Sequence, residues 1–178
     1  RVERDSAESA ADELMRLPAG TRLMLGFTSV RGKERNAVEW LSDLAALGYR
    51  RCVVADRTEE VTPALAERLE DVREIDVVVD RLTVQAEAAT RLRDSLENSL
   101  EAGRGAAVVW IDASNLPAPS PWRGGLGRGD EASTSFAPPP LTPPLRGEGD
   151  NQNQILAATA LQVDDRPWHR RTFSRRLR

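Results

Sequence analysis

The chain has 178 residues, of which 40% are hydrophobic and only 4% aromatic, with a formal net charge of -3. That length suits one ordinary domain with a core of Leu, Val and Ala, and so small a net charge sets up no global field that would commit the chain to nucleic acid. The single cysteine, Cys52, excludes an internal disulfide or a cysteine-cluster metal site, and no apolar run approaches the ~18 residues of a membrane-crossing helix.

Lys33 is the only lysine among 25 basic residues, a bias read as that of a GC-rich genome. The opening RVERDSAESAADEL is charged, has no apolar signal core and lacks an initiating Met. The expectation is a cytoplasmic piece of a longer protein.

Asp5 and Glu8 have the spacing of a capping box, and Ala7, Ala10, Ala11, Leu14 and Leu17 recur at helical spacing until Pro18 and Gly20. Thr21 to Phe27 is a short apolar run that reads as a strand. Lys33 to Leu47 is helical again, with Gly48 as its C′ residue. Tyr49 to Ala55 reads as a second strand. Thr62-Pro63 starts a short helix, with Thr62 as N-cap and Pro63 at N1. Ile75 to Val84 is the best strand pattern, its three valines implying burial on both faces. Gln85 to Ala102 is helical, and Ala106 to Ile111 is a fourth strand. Alternation of this kind predicts an α/β layer fold: a small sheet of about four strands with three to four helices over residues 1–112. Strand order is not readable, and an all-parallel sheet is not required.

Residues 113–154 differ in kind. Eight of the eleven prolines and six of the twelve glycines fall there, a composition expected to stay disordered. Pro119 to Gly125 (PSPWRGG) and Pro143 to Gly149 (PPLRGEG) can be encoded as the arms of an inverted repeat. The insert is therefore read, as a hypothesis, as a palindromic mobile element in frame; a gene sequence without complementarity between those arms would sink it. Residues 155–178 form an Arg-rich return segment. From Arg166 to Arg178 it holds six arginines and the only histidine, His169, with no acid.

No catalytic constellation stands out. Gly26 to Lys33 (GFTSVRGK) resembles a phosphate loop but is one residue too long, and Glu34 stands where Ser or Thr would hold Mg²⁺; a charged strand-to-helix loop is the favoured reading. Cys52, beside Val53 and Val54, reads as a small buried hydrophobe. Asp76 and Asp80, four apart, are expected on one side of a strand, as paired carboxylates or as edge and cap hydrogen-bond acceptors.

A longer phrase carries more. Ile75 to Asp112 (IDVVVDRLTVQAEAATRLRDSLENSLEAGRGAAVVWID) resembles UvrA, the damage-recognition ATPase of bacterial nucleotide excision repair. The matching pieces are the strand Ile75 to Leu82, the Asp-Ser helix Arg91 to Leu100, and the small-residue turn and Val-Val strand Gly103 to Val109. Arg93, Asn98 and Ser99 depart from the family pattern. Ser9 to Phe27, Leu41 to Val54 and Thr172 to Arg178 extend the resemblance to nearly everything outside the insert. The resemblance implies a non-catalytic module that docks the partner protein UvrB through largely charged contacts. It places partner-binding arginines at Arg51 and Arg81, with Arg50 as an alternative to Arg51 and Asp80 in the same set. Val53 replaces a commonly basic position. The residues alone leave open a strand arginine paired with Asp56 or Asp80.

For the parent protein the resemblance implies ATP, Mg and structural zinc, DNA binding and a homodimer. It implies none of those cofactors here, since there is no Walker A motif, ABC signature or cysteine pair; the zinc-binding cysteines are expected beyond the chain end. Two rival readings are a nucleic-acid-binding module using the Arg-rich tail and insert, and a small α/β enzyme.

Overall fold

The structure, a computed structural model, describes residues 6–116 and 160–175. Helix α1 (Ala7–Leu14) begins at a capping box one residue later than expected. Ser6 Oγ accepts from the Ser9 N–H at 3.0 Å, and Ser9 Oγ accepts from the Ser6 N–H at 2.9 Å. Strand β1 (Arg22–Val30) continues three residues past the predicted end. Helix α2 (Ala37–Ala46) starts four residues later than expected, because Asn36 caps it by accepting from the Glu39 N–H at 2.8 Å. Gly48 lies just past its end at φ +93, as a C′ residue should. Strands β2 (Arg51–Val54) and β3 (Arg57–Glu60) form a hairpin. A 3-10 helix, Pro63–Leu69, leads to β4 (Glu74–Thr83). After a 3-10 turn, α3 (Ala89–Ala102) returns to β5 (Ala106–Asp112).

The first residues of the predicted insert make a 3-10 turn, Ala113–Asn115, capped by Asp112, which accepts from the Ser114 N–H at 2.9 Å. The expectations for 117–154 lie outside the described residues. The return segment supplies β6 (Leu161–Val163) and β7 (Arg166–Ser174).

The sheet therefore has seven strands among the described residues, not about four, in the order β3-β2-β4-β1-β5-β7-β6, and every neighbouring pair is antiparallel. The αβ alternation is real but split. β1 and β2, joined through α2, run parallel with β4 between them. β4 and β5, joined through α3, run parallel with β1 between them. Each crossover thus skips one strand, which a linear pattern cannot disclose.

Helices cover the outer face in two neighbouring cores. Under α1 and α3 lie Leu23, Leu25, Leu82, Val109 and Phe173; under α2 lie Phe27, Cys52, Ile75 and Val77. Each fully buried aliphatic side chain here contributes about 2 kcal/mol. The inner face has its own core of Met24, Val53, Val108, Trp110, Val163 and Trp168. That core joins β2 to β6 and β7 from opposite ends of the sheet, so the sheet curls until its ends meet. The Asp164 N–H donates to the Asp56 carbonyl at 3.0 Å, and Asp164 Oδ1 accepts from the Thr58 N–H at 3.0 Å. The result is a nearly closed barrel, a solution that leaves few free edges.

A β-bulge breaks the β1–β4 ladder. Leu25 pairs with Asp80 but Gly26 pairs with Val78, so Val79 is the extra residue. The bulge inverts the side-chain alternation of β4: Ile75 and Val77 face outward before it, Leu82 and Val84 after it. Asp76 and Asp80 consequently lie on opposite faces, which corrects the expectation that they share one. No helix among the described residues is long and apolar enough to cross a membrane.

Candidate functional site

Asp80, turned outward by the bulge, meets α3. Its carboxylate accepts from Arg91 Nε at 2.9 Å and Arg91 Nη2 at 2.7 Å, from Ser95 Oγ at 2.7 Å, and from the Arg81 backbone N–H at 2.7 Å. Arg91 and Ser95 are four apart on α3 and so present together. Burial alone would raise the Asp80 pKa, but those hydrogen bonds and the Arg91 charge hold it below the usual carboxylate value. Its oxygens are engaged within the chain, leaving it suited to fix the bulge rather than to reach outward. Arg91 and Ser95 belong to the site but went unassigned in the sequence, although both lie in the Asp-Ser helix phrase.

Arg81, the next residue, points to the inner face opposite Met24, and Arg51 points the same way opposite Val78. The two guanidiniums are close enough that Arg51, after burial, depresses the Arg81 pKa, against a smaller opposing influence of Asp164. Both are exposed, as is Arg50. Among the described residues no carboxylate forms an ion pair with any of the three. An open depression of about 350 Å³ is lined by Arg50, Arg51, Asp80, Arg81 and Arg91. The structure thus brings all four sequence-predicted residues together. Asp56 accepts from Asp164 through its backbone, at the hairpin turn, and is not the partner of Arg51.

Several other charged residues are committed internally. Asp76 is 8% exposed and accepts from Thr28 Oγ1 at 2.7 Å, Trp110 Nε1 at 3.1 Å, and Arg170 Nε and Nη2 at 2.6 and 3.0 Å. Arg166 faces Asp112, Arg171 pairs with Glu13, and Arg175 pairs with Glu97. The described arginines of the return segment are therefore neutralised by the domain's own carboxylates, which weakens the reading of this segment as a free basic tail. Burial, then the Glu59 charge, pushes the Cys52 thiol up to about 12, far from a nucleophile's range. Gly26 to Val30 of the phosphate-loop-like stretch is strand, not loop. Among the described residues no three His, Cys, Asp or Glu side chains converge as a metal-ligand set.

Three depressed carboxyls give the domain an acid limit. Asp80, Asp112 and Asp164 would each be raised by burial, but hydrogen bonds and arginine charges bring them below their ordinary value. A carboxyl whose folded pKa is lowered stabilises the fold fully above the unfolded pKa and loses that contribution as pH falls through the folded one. Denaturant melts should therefore show stability declining below about pH 4, with a shallower decline for Asp80→Asn. An identical slope in that variant would remove Asp80 from the account.

A family model described as the UvrA interaction domain matches residues 5–113. UvrABC system protein A of Streptomyces coelicolor is 33% identical over 122 residues, 68% of this chain and 12% of that one. The Mycobacterium tuberculosis protein of the same name is 33% identical over 119 residues, 67% and 12% respectively; that of Vibrio cholerae is 34% identical over 98 residues, 55% and 10%. The chain spans about 12% of the length of the first two of these curated relatives. The family match ends at residue 113, whereas the sheet continues through Ser174.

Proposed function

The chain belongs to the family of UvrA interaction domains, and on that premise we propose that it is a non-catalytic docking module for UvrB in bacterial nucleotide excision repair. The observation that carries this is the Arg51–Arg81 pair: two like charges side by side on one face, with no carboxylate of the described chain bonded to either. Such a pair costs electrostatic energy in isolation and regains it when an acidic surface supplies the counter-charge. Arginine suits the task, because its planar fork holds carboxylates in bidentate fashion. In this reading Asp80, Arg91 and Ser95 are positioning residues that fix the bulge presenting Arg81, and Arg50 extends the basic rim.

ATP, Mg and structural zinc belong to the parent protein elsewhere, as do DNA binding and homodimerisation, and the setting is the cytoplasm. This chain's lone buried thiol and its strand at Gly26–Val30 fit neither zinc nor a nucleotide. The nucleic-acid-binding alternative is disfavoured by the internal pairing of Arg166, Arg170, Arg171 and Arg175.

Titration calorimetry of the full chain against purified UvrB tests the proposal. The wild type should bind, more weakly as salt rises. The Arg51→Ala/Arg81→Ala variant should bind about 30-fold more weakly, at roughly 1 kcal/mol per arginine. Unchanged affinity in a folded double variant would refute the residue assignment, and a folded wild type that does not bind would refute the docking role.

A further inference from the structure

Asp164 and Asp165 form the two-residue turn between β6 and β7, at φ +51 and +60. Both central residues of such a turn need positive φ, which is why Asn-Gly and Asp-Gly dominate it. Two adjacent aspartates are a strained and self-repelling choice, and a strained choice points toward function. Asp164 also does two things that Asp165 is not seen to do. Through Oδ1 and its N–H it holds the β2–β3 turn at Thr58 and Asp56, both at 3.0 Å. It also lines the mouth of the barrel with Arg81, beside Arg22, Arg166, Met24 and Trp168.

Of the arginines around that mouth, Arg22 is paired with Asp112 at 2.8 Å and Arg166 faces the same carboxylate at 3.9 Å. Arg81 is the one with no ion pair among the described residues, and Asp164 is the acid that lines this mouth with it. The mutual influence is consistent from both sides: after the Thr58 hydrogen bonds, the Arg81 and Arg57 charges help hold the Asp164 carboxyl below its usual value, and Asp164 offsets part of the lowering that burial and Arg51 impose on Arg81.

We propose that Asp164 is a built-in counter-charge that partly neutralises Arg81 and so restrains the docking of an acidic partner surface. The inference rests on the docking role of Arg81 set out above. It makes Asp164 a specificity-determining residue: its carboxylate occupies part of the field that a partner's carboxylate would otherwise fill, so that a single stray acidic group binds poorly. The restraint is supplied by the return segment, so it reaches the docking face only when residues on both sides of 117–159 have folded together.

Asp164→Asn separates charge from architecture. Asparagine keeps an oxygen for the Thr58 N–H and tolerates the left-handed backbone. With UvrB as titrant and the full chain in the cell, the variant should bind about fivefold more tightly at low salt, an advantage that disappears at high salt. Equal or weaker low-salt binding by the folded variant would overturn the proposal. A second measurement stands apart from UvrB. In a carbon-detected NMR titration, the Asp164 carboxyl should titrate at higher pH in Arg81→Gln than in the wild type. If it does not move, the pairing is absent and the proposal fails. If it moves but neither wild type nor Asp164→Asn binds UvrB, the docking reading fails while the charge coupling stands, so the two failures are distinguishable.

Discussion

Replacing Arg170 by alanine is expected to destabilise the domain by about 3 kcal/mol, because it strands a carboxylate inside the barrel. Asp76 is 8% exposed and takes two of its four hydrogen bonds from Arg170, at 2.6 and 3.0 Å. Thr28 and Trp110 remain after the substitution, but neither carries charge. The Arg170 side chain is about one-third exposed, so the cost belongs at the lower end of the range for a broken buried pair. For a domain of this size such a loss lowers Tm by roughly 10 °C. Asp76→Asn added to Arg170→Ala should recover part of it by removing the unpaired charge, the outcome a double-mutant cycle is built to read. Stability unchanged within about 0.5 kcal/mol in the single variant would show that water already solvates Asp76. The pair spans 94 residues of sequence. Through it, β7 and the segment before 117–159 stabilise each other, and loss of the return segment would expose the inner core as well as remove two strands.

That dependence shows where sequence reasoning reaches and where it stops. β1, β2, β4 and β5 were legible because each is an apolar run buried on at least one face. β3 (RTEE) and β7 (RPWHRRTFS) were not, since their polarity is offset by partners outside the strand: Arg68 of the 3-10 helix for Glu59, and the sequence-distant Asp76 and Glu13 for Arg170 and Arg171. β6 is three residues long and has no periodicity to read. Helix existence followed from the 3.6-residue stripes, while helix starts shifted to Ser6 and Asn36, whose side-chain caps are a three-dimensional fact.

The site divides in the same way. Arg51 and Arg81 came from the family phrase, and nothing in their local sequence set them apart from strand arginines paired internally. Their position on one inner face depends on the bulge at Val79, which no alternation pattern announces. Asp164 is hidden in the sequence because it sits beyond the insert, in a segment dominated by arginines. Its signal was a Val-Asp-Asp-Arg stretch with a hairpin's spacing.

The bulge also sets the largest expected effect of a single methyl group. A Cβ at Gly26 would lie 1.8 Å from the Val77 carbonyl oxygen and 2.8 Å from its carbon. Those atoms are backbone of the neighbouring strand and cannot turn aside as a flexible side chain could. Gly26→Ala must therefore push β1 away from β4 along a ladder that runs from Arg22↔Thr83 to Val30↔Glu74. The expected loss is about 3 kcal/mol or more, at or beyond the usual cost of overpacking. Gly20 is the control: at φ +88 with nothing within 4 Å, a side chain there would be strained but not crowded, and Gly20→Ala should cost only about 1 kcal/mol. Equal losses in the two variants would mean that the strands relax freely around Gly26. Such freedom would also undo the argument for Arg81, because a ladder that shifts easily cannot hold Asp80 outward on Arg91 and Ser95 while keeping Arg81 turned toward Arg51. Partner binding measured on whatever fraction of Gly26→Ala folds is therefore expected to fall along with its stability, and normal affinity in that fraction would detach the docking surface from the bulge.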